Sequence, residues 1–138
     1  MSLCSHRRPV YRVVQSGVML RTMLCIVLAV HSIALFAQAA LAGEFLSGTD
    51  GVVKFHEWAA WAVLGICAIQ IIIAALAQRT GGASLWLLIG SVLVFLGEAL
   101  QTGTGYGRFL RVHLPLGVVL FGAVTWQTIA QFRSGSKS

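Results

Sequence analysis

Two histidines in this chain occupy matching settings. His56 stands two residues after Lys54, and His113 stands two residues after Arg111. Each has a small residue four positions on, Ala60 and Gly117, and a glutamine fourteen positions on, Gln70 and Gln127. A helix turns about 100° per residue, so positions +4, +7, +11 and +14 share one face. His56, Ala60, Val63, Cys67 and Gln70 then form one stripe, and His113, Gly117, Leu120, Val124 and Gln127 another. Two neutral imidazoles at equal depth on two helices suit axial ligation of a haem iron, with the macrocycle edge-on between the helices. Small residues are needed where a flat ring approaches backbone. Lys54, Arg108 and Arg111 stand where propionates would emerge, and cations there offset carboxylate charge. The pattern makes haem b the expected cofactor, with His56 and His113 as iron ligands. Lys54, Arg108, Arg111, Ala60 and Gly117 are its further expected contacts, and Gln70 and Gln127, too deep for propionates, are expected to hydrogen-bond across helices.

Two other chemistries fit the same residue types. Interfacial histidines flanked by lipid-anchoring cations need no ligand at all. A non-haem metal or quinone site is the third reading: His56, Glu57, Glu98 and His113 fall at one depth, and His/carboxylate sets suit zinc, iron or copper. Glu57, however, is about 100° around the helix from His56, so the two do not converge on one ion. His31 stands apart in the middle of an apolar run. Such a residue is either a functional group or a hydrogen-bonding bridge between helices. Cys4, Cys25 and Cys67 are scattered without a CxxC pair, which excludes a zinc knuckle, a thioredoxin-type motif and a c-type haem attachment.

The elements that carry these residues follow from composition. The chain has 138 residues, 57% hydrophobic and 10% charged, against about 25% charged in an ordinary soluble domain. Mean hydropathy is +0.84. Apolar runs over about 18–42, 55–77, 84–101 and 109–132 are each long enough to cross about 30 Å of hydrocarbon. The short connections, Gly43 to Lys54, Gln78 to Ala83 and Thr102 to Arg108, are rich in Gly, Ser and Thr. The expected fold is all-α: a polytopic membrane protein, one domain over residues 1–138, built as an antiparallel four-helix transmembrane bundle. The net charge of +6 reflects basic residues flanking the runs, so it speaks for membrane topology and not for nucleic acid. Arg7, Arg8, Arg12, Arg21, Arg79, Arg133 and Lys137 fall on one side, which places both termini in the cytoplasm. The first run, ending Ala40-Leu41-Ala42-Gly43, has the look of a secretory signal. Its length of about 25 residues exceeds the 7–15 of a signal core and makes it a retained span.

The halves also echo each other: Gly43-Glu44-Phe45-Leu46 against Gly97-Glu98-Ala99-Leu100, a glycine-rich stretch after each, then the basic-x-His signature. This is the pattern of a duplicated helical hairpin. Trp58, Trp61, Trp86, Trp126 and Tyr106 read as an aromatic belt, and Gly65, Gly90 and Gly122 as close-packing sites.

With Phe55-His56 opening span two and Val112-His113-Leu114-Pro115-Leu116-Gly117 opening span four, the chain resembles one half of heme A synthase, a family with two such bundles. It is also similar to small bacterial four-helix membrane proteins. The resemblance covers about residues 25–132. It implies a b-type cytochrome in the bacterial inner (plasma) membrane, with His56 and His113 as haem ligands. The chain departs from the synthase in having one bundle, and in placing Val52 and Val53 where the synthase carries a carboxylate one turn before a ligand histidine.

The expected function is electron transfer, or redox or haem sensing, near the outer leaflet. The alternative is a non-catalytic accessory subunit of a larger membrane complex, suggested by the short loops and the lack of Walker, GxSxG and HExxH motifs. The expected partners are the lipid bilayer and a redox protein or complex subunit.

Overall fold

The computed structural model describes residues 7–134, which form four helices and no strand: α1 (Arg7–Leu46), α2 (Val52–Arg79), α3 (Leu85–Tyr106) and α4 (Leu110–Ser134). Cys4 and Lys137 lie outside the described residues. All four helices are long and apolar enough to cross a membrane, and the protein is a multi-pass membrane protein. Each helix packs against two others, α1 and α3 each contacting both α2 and α4. The result is a four-helix bundle.

The inward positions are spaced alternately four and three residues apart. They are Leu24, Leu28, His31 and Leu35 on α1; Val63, Cys67, Gln70, Ala74 and Ala77 on α2; Leu87, Ser91, Val94 and Glu98 on α3; and Leu120, Val124, Gln127 and Gln131 on α4. An average of about 3.5 residues keeps one seam facing its neighbours along the whole helix. The apolar members form two clusters. One is Leu24, Leu28, Ile73, Ala74, Ala77 and Leu87; the other is Leu35, Val63, Cys67, Val94, Leu120 and Val124. In sequence His31, Gln70, Ser91 and Gln127 fall between or beside them, as a polar layer. The outer faces carry exposed Ile, Leu, Val, Phe and Trp, including Trp58, Trp61, Trp86 and Trp126, as a surface facing lipid requires.

The helices outrun the apolar runs read from the sequence. α1 continues through Gly43 to Leu46, leaving 47–51 as the connection. α3 continues through Thr102, Gly103, Thr104 and Gly105 to Tyr106, leaving 107–109. A helix pairs its backbone N–H and C=O groups within the segment itself, past the ends of the apolar runs. The hydroxyls assist, Thr102 Oγ1 donating to Glu98 O at 2.9 Å and Thr104 Oγ1 to Gln101 O at 2.9 Å. Ser84 caps α3, its Oγ accepting from Leu87 N at 3.2 Å. Gly90 meets the expectation of close packing, because a Cβ there would stand 3.1 Å from Gln127 Nε2; Gly65 and Gly122 do not, since nothing lies within 4 Å. Both are exposed. A close side-chain contact is instead at Gly97, where a Cβ would fall 2.7 Å from Leu120 Cδ2.

Candidate functional site

His56 in the second turn of α2 and His113 in the first turn of α4 face one another at one end of the bundle. Their ring centroids are 6.1 Å apart and their planes cross at 67°. His113 Nδ1 lies 2.9 Å from Gln101 O. A carbonyl only accepts, so Nδ1 carries the proton and Nε2 presents a lone pair. Metal-bound histidines are held in this way, by a backbone carbonyl or carboxylate on the far nitrogen. The ring reaches α3 because Gly105 has no side chain; a Cβ there would stand 3.0 Å from His113 Cε1. His56 is tied to α1 through its backbone, whose carbonyl accepts from Gln38 Nε2 at 3.1 Å. Its Nδ1 is buried without a partner, as are Gln38 Oε1 and Gln101 Oε1.

Two cavities meet at this pair. One, of about 490 Å³, is lined by His56, Ala60, Val63, Gln101, His113, Gly117 and Leu120, and reaches Glu98. The other, of about 510 Å³, shares His56, Ala60 and His113 and extends past Glu57 and Tyr106 to Arg108. Both fall within the range of about 300–1,000 Å³ of cofactor and ligand pockets. A ring nitrogen sits about 1.2 Å from its centroid and bonds a metal at about 2.0–2.1 Å, so two imidazoles on opposite sides of one ion have centroids about 6.4 Å apart. The observed spacing is close to this. The orphaned His56 Nδ1 and the lone pair of His113 are two nitrogen donors, beside these cavities, that could hold a metal or a metal-bearing cofactor.

The remaining expected contacts separate. Ala60 lines both cavities. Gly117 lines the first, but its missing side chain makes room for the Gln101 amide, whose Nε2 lies 2.9 Å from where a Cβ would stand. Arg108 lines the second cavity and holds φ 55, the one non-glycine residue with positive φ among those described. That left-handed conformation costs an L-residue about 1–2 kcal/mol. Lys54 and Arg111 are exposed and line neither cavity. Glu57 borders the second cavity, whereas Glu98, expected at the same depth, is buried among the helices.

There Glu98 meets His31. His31 Nε2 lies 2.6 Å from Glu98 Oε1, with the two side chains 0% and 3% exposed. His31 Nδ1 lies 2.8 Å from Gln70 Oε1. Gln70 Nε2 donates to Ser91 Oγ at 2.8 Å and to Gln127 Oε1 at 3.3 Å. The expected glutamine bridge is thus present, inside a network that joins all four helices. Glu98 Oε2 is buried and unpartnered. The ligand atoms of His31, Cys67 and Glu98 lie within 4.8 Å of one another, all three residues being buried.

This second constellation was not assembled by the sequence reading, although a signal existed. His31 and Glu98 are ionisable groups well inside apolar helices, and such groups pair with one another. No family model matches the chain, and neither a curated protein nor a solved structure matches it.

Proposed function

We propose that this protein is a b-type haem protein of the membrane, holding the cofactor between His56 and His113 and passing electrons, or reporting redox state or haem supply, near the outer leaflet. The observation that carries the reading is the facing imidazole pair at 6.1 Å, one ring already oriented by Gln101 O. Haem bound there would supply one-electron redox chemistry. The chain's own residues do the rest. His56 and His113 offer nitrogen ligands from α2 and α4. Ala60 keeps the wall between the cavities low, and Val63 and Leu120 keep water from the inner face. Arg108 supplies positive charge at the polar mouth, where propionates need it. In this reading the bundle is antiparallel and duplicated as two hairpins. It lies in a bacterial inner membrane with both termini cytoplasmic, as the basic flanks require. The ligand assignment is the one that the resemblance to half of heme A synthase implies.

The test is optical. Protein purified from haem-replete cells should show a Soret band and sharp reduced α and β bands. His56→Ala or His113→Ala should lose six-coordination while circular dichroism stays helical. A colourless, folded preparation overturns the reading. If both variants then keep function in the cell and a partner co-purifies, the accessory-subunit alternative takes its place.

A further inference from the structure

We infer that His31, Cys67 and Glu98 form a second site, separate from the His56/His113 pair, that binds one borderline divalent transition cation of the zinc class. Three helices contribute three different donors: an imidazole from α1, a thiol from α2 and a carboxylate from α3, with ligand atoms within 4.8 Å. The imidazole is already set for the task. Gln70 Nε2 donates to Ser91 and Gln127, so its Oε1 is the atom that faces His31. An amide oxygen only accepts, hence His31 Nδ1 carries the proton and Nε2 points a lone pair at Glu98. With that lone pair 2.6 Å from Glu98 Oε1, one proton is shared between the two. Cys67 Sγ makes a long contact, 3.7 Å, to Ser91 O.

Charge selects the ligand. With neutral imidazole, one shared proton and a protonated thiol, the site carries no net charge. A divalent cation entering it displaces the shared proton and the thiol proton. It forms bonds to nitrogen, carboxylate oxygen and thiolate sulfur and releases two protons, so the net charge stays zero. In a membrane interior, where an uncompensated charge is costly, that exchange is the one the site permits. A mixed N, S and O donor set suits zinc or a similar ion and excludes magnesium and calcium, which take oxygen ligands. Tetrahedral bonds of about 2.0–2.1 Å place neighbouring nitrogen and oxygen donors about 3.3 Å apart, so the 2.6 Å pair opens by less than 1 Å. Of the three ligands Glu98 alone lines the 490 Å³ cavity, and its Oε2 is buried with no partner.

The experiment uses the full chain in detergent carrying His56→Ala and His113→Ala, which removes the other imidazole pair and leaves the haem reading untouched by the outcome. Cobalt(II) serves as the optical probe. One equivalent should produce a thiolate-to-cobalt charge-transfer band and intense tetrahedral d–d bands, both displaced by zinc. A dye in weak buffer should record two protons released per ion. Cys67→Ser should lose the thiolate band and release one proton fewer, with helicity intact. Glu98→Gln should weaken binding 10-fold or more. Absence of a thiolate band at millimolar cobalt, or an unchanged band in Cys67→Ser, overturns the site.

Discussion

Replacing His31 by leucine removes the centre of the polar layer while nearly preserving its volume. The cost is then polar, with little cavity term. Two interhelical contacts go, at 2.8 and 2.6 Å, and Gln70 Oε1 and Glu98 Oε1 are left unpaired. On the scale of soluble proteins two unsatisfied buried groups cost about 2–6 kcal/mol. Interhelical hydrogen bonds in membrane proteins average about 0.6 and reach about 1.7 kcal/mol, because the unfolded helices find other partners. Two bonds on that scale give about 1–3 kcal/mol. With Gln70 at 0% and Glu98 at 3% exposure, both orphans are shielded by the bundle, which favours the upper part of that range, about 2–3 kcal/mol. The companion Glu98→Leu and the double variant complete a cycle, and coupling of about 1–2 kcal/mol is expected between groups in direct contact. Equilibrium unfolding of the full chain in mixed micelles, with a chelator present and helicity as the signal, supplies the numbers. A His31→Leu protein within 0.5 kcal/mol of the parent, or strict additivity in the double variant, would refute the reasoning.

Gly97→Ala should be less stable than Gly65→Ala by about 1–3 kcal/mol in the same assay, since one new methyl meets Leu120 at 2.7 Å and the other meets open space. If haem is held as proposed, Arg108→Gln should lower the midpoint potential and weaken retention more than Lys54→Gln or Arg111→Gln, because only Arg108 borders the cavity; redox titration of the three variants decides this. In a Cys4→Ser background, where Cys25 and Cys67 are buried, a cysteine at Thr49 should react with an impermeant maleimide from the outer face and one at Ser84 only from the cytoplasm. The reverse pattern overturns the orientation, and reaction of both from one side overturns the antiparallel arrangement.

The inward stripes of α2 and α4 were legible in the sequence. Val63, Cys67, Gln70, Leu120, Val124 and Gln127 are all buried, because helical periodicity fixes which residues share a face whatever the neighbours are. The ends of α1 and α3 were not. Gly43, Gly103 and Gly105 read as turn residues by their behaviour in soluble loops, and here they sit inside continuous helices. That error moved Glu98 towards the end of its span, when the true end at Tyr106 places it two turns inside. Its partner was hidden for a different reason. Periodicity says which face is inward but not which helices stand opposite across the core, and the His31–Glu98 contact joins α1 to α3 across that diagonal. The apparent repeat offered no help, because it aligns His31 with Leu85.

α1 is a 40-residue helix, about 60 Å long at a rise of about 1.5 Å per residue, roughly twice the hydrocarbon thickness. Near its middle third Arg21 Nη2 donates to Gln131 O at 2.9 Å and contacts Ser134 Oγ at 3.5 Å, at the carboxyl end of α4. That clamp divides the helix into unequal arms. The longer passes His31 and ends beyond Gln38, which holds the His56 backbone; the shorter runs back about 21 Å from Arg21 to Arg7. An unbroken helix pivoting on a fixed point is a lever. A tilt of about 5° about Arg21 would carry the Arg7 end sideways by about 2 Å. A single unbroken helix, joined to α4 at Arg21 and to α2 at Gln38, therefore spans both ends of the bundle.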